Sequence, residues 1–516
     1  MSHQLNRRSF LGLSVATATA AVLAACTPNR PEAGSTAVTR ILPTDPLVAE
    51  YEARRAGPGK TITRTLTSEP VRATVAGKKT ATWGYNGSLV APTLRGQVGD
   101  QLALTLRNEL NEAATIHWHG LALRNNADGV PNVTQEPVAA GKEHDYTFKL
   151  PHPGTYWYHS HVEMQRERAL YGALVIEDPK EALEYDKDWV VVLDDWLDGI
   201  TATPEQVLAE LSKGMGGMEG MEGMEGMGHG SSDGPMKMGN TLMGASSDFL
   251  GGDAGDVAYP FHLFNGRGPT EPETFRADPG ERIRLRIINA AGDTAYRVGI
   301  PGQQLTVTHT DGFPVKHEKA DAVILGMGER IDALLVAKDG FTPLLALAEG
   351  KDQMAYGLVS TGSGTAPAAG KLPRTLGGKV VDGGLLTADP SVNLPAKAAD
   401  RTHELRLTGG MGRYDWGING RRFDMANPFQ DAFDIKEGER VEVKFVNDTE
   451  MWHPMHIHGH TFQVGNVGAR KDTVIVRPGH TLTVYFDADN PGQWLTHCHN
   501  AYHAERGMMG IFSYIK

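Results

Sequence analysis

Cysteine is nearly absent: Cys26 and Cys498 are the two thiols in 516 residues. Aromatic residues are also scarce, at 7%, whereas 61 glycines and 29 prolines punctuate the chain. That composition argues against long helices and for turn-rich β architecture. Acidic residues outnumber basic ones, with a formal net charge of −12. Such a balance argues against nucleic-acid binding and is compatible with cationic substrates. The apolar stretch within residues 1–26 is too short and too rich in small residues to span a membrane. With 40% apolar residues, a chain of this length is expected to hold about three domains with real cores.

The N-terminus reads as an export segment. Arg7-Arg8 leads into an Ala- and Thr-rich apolar run that ends at Leu23-Ala24-Ala25-Cys26. It resembles a twin-arginine signal with a lipoprotein cleavage box, which implies the twin-arginine export machinery, an extracytoplasmic location and a lipid on Cys26. The alternative is an ordinary signal without lipid. Residues 27–45 would then form a flexible tether. With Cys26 serving as an anchor, Cys498 has no disulfide partner.

An internal repeat organises the remainder. "VGDQLALTLRN" (98–108), "PGERIRLRIIN" (279–289) and "EGERVEVKFVN" (437–447) each place Asn nine residues after Gly, across an alternating strand pattern. "WGYNG" (83–87), "HLFNG" (262–266) and "WGING" (416–420) precede the copies, and another equivalent strand follows each. Three diverged copies of one β-sandwich account for the pattern. The expected division is a signal at 1–26, a tether at 27–45 and domain one at 46–180. Domain two follows at 181–365 with a Met-rich insertion at 213–243, then a linker at 366–399 and domain three at 400–516.

The histidines fall on this repeat. Nine residues after Asn108 and Asn447 stand His117 and His456, in "HWHG" and "HIHG". "HSH" (159–161) and "HCH" (497–499) each begin five residues after a Pro-Gly glycine. The matching positions of domain two are Val298 and Ile300. On a strand, residues i and i+2 face one side, so His-x-His directs two imidazoles together. A single pair is weak evidence; four pairs at repeat-equivalent positions point to a metal cluster between domains one and three. Domain three adds His453, Cys498, His503 and Met508, the trigonal His, His, thiolate set with a weak thioether typical of blue copper. The same offsets in domain one give Ala114, Ser160, Gln165 and Leu170, which cannot form such a site.

"HWHG", "HSH", "HPMHIHG" and "HCHNAYHAERGM" together resemble the four signature motifs of the multicopper oxidases, over nearly all of the mature chain. The resemblance implies three cupredoxin-like Greek-key sandwiches and four copper ions. It implies a type 1 copper on His453, Cys498, His503 and Met508, and a type 2 copper on His117 and His456. One type 3 copper would take His119, His159 and His499, the other His161, His458 and His497. Dioxygen would be reduced to water at the expense of a one-electron donor. Asp128 matches the family acid near the type 2 copper, although "ADG" is also a turn. The family's second acid position is Ala504 here, with Glu505 next to it as the candidate substitute.

"MGGMEGMEGMEGMG" (215–228) spaces Met215, Met218, Met221, Met224 and Met227 by three, and Met236, Met238 and Met243 follow. The interspersed glycines oppose a helix, so the segment reads as a flexible, soft, anionic patch suited to Cu(I). Met451 resembles the substrate-copper methionine of copper-efflux oxidases; the accompanying acid falls at Thr449, with Asp448 and Glu450 beside it. The leading expectation is Cu(I) oxidation in copper tolerance, by a monomer outside the cytoplasmic membrane. Alternatives are Fe(II) or phenol oxidation, and, in another class, a copper-sequestering protein.

Overall fold

The computed structural model describes residues 38–516 apart from 56, 58, 215–234 and 363. Within the compact unit Thr39–Lys516, three two-sheet β-sandwiches follow one another. The first sandwich orders Lys78–Tyr85, Thr61–Val75, Gln101–Asn108 and Glu143–Lys149 in one sheet. Its second sheet runs Ala91–Gln97, Tyr171–Glu177, Gly154–His159 and His117–His119. Domain two has two six-stranded sheets, and domain three has sheets of six and five strands. No described helix is long and apolar enough to cross a membrane.

The sequence repeat is a structural repeat. Gln101–Asn108, Arg282–Asn289 and Arg440–Asn447 each pair in parallel with the long strand before them. Each also pairs antiparallel with the strand formed by the third repeated segment. The Asn-Gly turns put Asn86, Asn265 and Asn419 at positive φ, where a short amide tolerates the left-handed region. Their side-chain oxygens accept from Thr67, Val192 and Arg406 backbone N–H, so the amides tie each turn to the neighbouring strand. The Asn that ends each repeat is buried. Asn108 donates to the carbonyls of Glu112 and Val138, Asn289 to those of Thr294 and Leu325, and Asn447 to those of Met451 and Val476.

Domain two departs from one-sided alternation. Arg284 and Arg286 occupy the second face of its repeat strand and are buried there. Asp332 and Glu181 bind Arg284, while Asp188 and domain one's Thr155 bind Arg286. A strand between two domains has no solvent face, so its polar positions carry ion pairs instead.

Two connecting segments are more ordered than their composition suggests. At the end of the expected tether, Ile41 is buried and its N–H donates to the Tyr514 carbonyl at 2.8 Å. In the expected linker, Val380–Asp382 adds a parallel edge strand to domain two, and Leu372 and Leu376 pack against its outer face. Backbone pairing with an open sheet edge overrides local Gly/Pro content.

The chain is structured on both sides of the segment 215–234: a helix precedes the expected insertion and a hairpin closes it. Helix Pro204–Leu211 starts at a capping box formed by Thr203 and Gln206. It buries Val207 and Leu211 in the cluster that contains Trp416, Met451 and Cys498 of domain three. Met236–Met238 and Thr241–Met243 form a hairpin, which corrects the expectation of a wholly flexible insertion there.

Candidate metal centres

In domain one His117 is the cross-strand partner of His159, and in domain three His456 is the partner of His497. The ladder therefore gathers both His-x-His pairs of each domain on one sheet. The intervening Trp118 turns to the opposite face and into the core of domain one. Val298 and Ile300 of domain two lie in its apolar core. Domains one and three meet face to face: His119 stacks on His456 and His117 on His458, both at 3.8 Å between ring centres.

Nitrogens converge there without partners. His117 Nε2, His119 Nδ1, His159 Nε2, His161 Nε2, His456 Nε2 and both ring nitrogens of His499 are buried with no hydrogen bond. The opposite nitrogens are occupied. Nδ1 of His117, His159, His456 and His497 donates to the carbonyls of Asp128, Ser160, Asp472 and Cys498 at 2.8–2.9 Å. Buried polar atoms left unpaired are costly, so a set of lone pairs aimed at common points calls for a bound group. Burial holds His119, His159, His161, His458, His497 and His499 well below the ordinary imidazole range, so their rings are neutral and able to ligate. Ligand atoms of His119, His159 and His499 lie within 4.8 Å of one another, as do those of His161, His458 and His497, and those of His117, His119 and His456.

A second group forms beside this one. His453 Nδ1 and His503 Nδ1 are 3.1 Å apart, and Cys498 Sγ lies 3.6 and 3.7 Å from them. The fourth residue expected at this site, Met508, is fully buried in the same cluster, and its carbonyl accepts from Cys498 N–H at 3.0 Å. Burial pushes the Cys498 thiol up to about 12, so the apoprotein carries a protonated thiol. In domain one the equivalent Ser160 N–H binds the Leu170 carbonyl, and Ser160 Oγ donates to Gln165 Oε1 at 2.7 Å. A hydrogen bond fills the place of a metal there.

Several residues around the two groups, Asp256, Asp472 and Asn500 among them, carry no sequence signal. Nε2 of His453 meets Thr449 Oγ1 at 2.8 Å, and Nε2 of His503 meets Asp256 Oδ2 at 3.1 Å. The acid beside these histidines therefore comes from domain two. Asp472 holds His119, and Asn500 caps the short helix Ala501–Glu505 that presents His503. Asp128 Oδ2 lies 3.0 Å from His458 Nδ1, and Oδ1 is 3.2 Å from His117 Nδ1. Glu505 is half-buried; burial pushes its carboxyl up to about 7 against the pull of Arg166.

The sequence comparisons agree with this geometry. Residues 67–181, 187–343 and 397–515 match three multicopper oxidase family profiles. The chain belongs to the multicopper oxidase family. This multicopper oxidase is 41% identical to multicopper oxidase MmcO of Mycobacterium tuberculosis, over 99% of this chain and 97% of that protein. It is 28% identical to copper resistance protein A of Escherichia coli, covering 86% and 91% of the two chains. Among solved structures it resembles the multi-copper oxidase of Pseudomonas thermotolerans, with 27% identity, a TM-score of 0.65 and 88% and 99% coverage. The Fet3p multicopper oxidase shares the fold at 20% identity, with a TM-score of 0.71 and 88% and 90% coverage. The enzyme is thus a copper-dependent oxidoreductase that uses dioxygen.

The expected donor-side residues are scattered. Met451 is buried, 3% exposed, within the domain-three cluster. Asp448 is exposed and paired with Arg406, and Glu450 is exposed. Met215, Met218, Met221, Met224, Met227 and Cys26 lie outside the described residues.

Proposed function

We propose that this multicopper oxidase oxidises Cu(I) in copper tolerance, with four resident copper ions in a one, one and two arrangement. His453, Cys498 and His503, with Met508, would hold the type 1 ion, and His117 and His456 the type 2 ion. The type 3 pair would take His119, His159 and His499 on one side and His161, His458 and His497 on the other. Bound copper supplies reversible one-electron chemistry and the place where dioxygen is reduced. The chain's contribution is to fix ring orientation through backbone carbonyls and to exclude water. Cys498 joins the two centres, because it ends the strand that carries His497 and is followed directly by His499. Asp128, within reach of His117 and His458, is the candidate to hold a proton beside the cluster.

The observation that favours a metal ion over a phenol is the closure of the donor side. Cys498, His453, His503 and Met508 are all fully buried, and the outer nitrogens of both histidines are occupied by Thr449 and Asp256. Two cavities, of about 530 and 410 Å³, lie elsewhere, lined by Arg284 and His309 and by Arg440 and Tyr485. A thioether face lies on the hairpin bonded to Asp256. Met236 is the cross-strand partner of Met243, and Met238 stands two residues from Met236, so all three share one face of the hairpin. Leu242, on the opposite face, is buried, while its N–H donates to the Asp256 carbonyl at 2.8 Å. Soft thioethers select Cu(I), and one hydrogen-bonded residue links this face to His503.

Oxygen uptake by the copper-loaded enzyme with Cu(I), Fe(II) or a phenol tests the reading. Replacing Met236, Met238 and Met243 together by Ile is expected to raise KM for Cu(I) roughly tenfold, about 1.4 kcal/mol, and leave phenol turnover unchanged. A parent enzyme that prefers phenol or Fe(II) establishes the laccase or ferroxidase alternative. Copper binding without turnover of any donor establishes a sequestering protein.

The N-terminal reading is part of the proposal: export through the twin-arginine machinery, anchorage to the outer face of the cytoplasmic membrane through lipidated Cys26, and a monomeric enzyme. The Arg7-Arg8 pair and the box ending at Cys26 support it.

A further inference from the structure

We propose that Arg330 and Asp472 are positioning residues through which domain two, which contributes no histidine to the cluster, sets which nitrogen of His119 faces the metal. The inference rests on His119 being a ligand. Apart from the facing Nε2 atoms of His458 and His497, His119 is the one cluster ring held through Nε2 rather than Nδ1. Its Nε2 lies 3.0 Å from both Asp472 Oδ1 and Thr473 Oγ1, and the Thr473 hydroxyl gives its own proton to Asp472 Oδ1 at 2.9 Å, so that Asp472 also fixes it as an acceptor. A carboxylate only accepts, so Nε2 carries the ring proton and the lone pair is on Nδ1, the buried atom without a partner.

Asp472 is in turn immobilised by a guanidinium. Arg330 Nη1 and Nη2 bind its two oxygens at 2.7 and 2.6 Å, the bidentate geometry that fixes a carboxylate plane. Arg330 also donates through Nε to the Thr155 carbonyl of domain one at 3.2 Å and through Nη1 to the Gly328 carbonyl of its own domain at 3.0 Å. One side chain therefore binds all three domains. Asp311 extends the hold, accepting from Arg330 N–H at 2.8 Å and from Asp472 and Thr473 N–H at 3.2 Å. Arg330, Asp311 and Asp472 are wholly buried.

Two glycines show how tightly the device is fitted. A Cβ on Gly120, the residue after His119, would lie 2.4 Å from Arg330 Nη2 and 2.6 Å from Asp472 Oδ2. A Cβ on Gly328 would lie 2.9 Å from His499 Cδ2 and 3.1 Å from His119 Cε1. The glycine of "HWHG" is thus explained by an arginine from another domain. Buried ion pairs do little for net stability compared with apolar packing, but they hold geometry where direction matters.

The test uses the full chain with two variants. In Arg330→Met/Asp472→Leu both charges go together, so no unpaired buried charge remains. Arg330→Lys keeps the charge without the fork. Nitrogen-15 NMR of the apoprotein reads the His119 tautomer; copper content, electron paramagnetic resonance and blue absorption read the loaded protein. The parent is expected to show only the Nε2–H tautomer. The double variant should lose it and bind cluster copper roughly 10–100-fold more weakly, with the blue site unchanged. Arg330→Lys should fall between. A double variant that keeps one Nε2–H tautomer, or loses it with no change in cluster copper, overturns the proposal. If the double variant does not fold, Arg330→Lys decides: full parental tautomer and copper affinity overturn it. A shifted tautomer in a chain whose parent binds no cluster copper supports the positioning and refutes the ligand reading instead.

Discussion

Asn447→Ala isolates what the repeated asparagine does. Asn447 is 1% exposed and makes four hydrogen bonds: two from Nδ2 to the Met451 and Val476 carbonyls at 2.7 and 3.0 Å, and two into Oδ1 from Thr449 at 2.9 and 2.8 Å. Alanine leaves two carbonyls and one backbone N–H buried without this partner. At about 1 kcal/mol for each lost bond and somewhat more for a stranded group, the cost is about 3–5 kcal/mol. For a domain-sized cooperative unit this corresponds to a fall in melting temperature of roughly 6–20 °C. The loop it clamps contains Thr449 and leads to His453, so the blue absorption should weaken as well. Asn108→Ala removes the equivalent clamp in domain one, where the position matching His453 is Ala114. It should cost a similar amount and leave the blue centre's spectrum intact. Calorimetry of both apoproteins and absorption spectra of both loaded proteins form the assay. An Asn447→Ala protein within about 1 kcal/mol of the parent, or one with an unaltered blue centre, would refute the reasoning.

Cys498→Ser should abolish the intense blue absorption and steady turnover with every donor while copper stays on the histidine cluster; full activity sinks the electron-path assignment. His262 is buried, with its value pushed down to about 3, and no metal ligand touches it. Because the unfolded chain takes up a proton near 6.5 and the folded chain does not, this residue lowers apoprotein stability as pH falls from about 6.5 towards 3. Measured by denaturant titration, His262→Gln should remove about 1.4 kcal/mol of that loss per pH unit, and parallel curves for parent and variant would contradict it.

How much was legible in the sequence depended on whether a feature was local and repeated. Alternation and the Gly-to-Asn spacing identified equivalent strands because a strand's faces depend on chain position alone. The same periodicity placed four His-x-His pairs on corresponding strands, and the structure brings those eight rings together. Order in the segments around Ile41 and Val380 was not legible, because pairing with a distant sheet edge leaves no local mark. The residues that orient the ligands were hidden for the same reason. Asp472 lies in "ARKDTV" and Asp256 in "GDVAYP", neither of them in a period or a repeat; Arg330 opens the repeated strand "RIDALLV", whose pattern marks the strand but not the distant carboxylate its side chain meets.

The sequence by itself determined the ligand types, their pairing on strands and the difference between domain three's Cys498 site and the Ser160–Gln165 substitute in domain one. Only the tertiary structure decided which nitrogen each ring offers, and that domain two supplies the carboxylate at His503 and the guanidinium behind His119. Strand periodicity sends a side chain to one face; its proton is placed by whichever acceptor another domain brings to the other nitrogen.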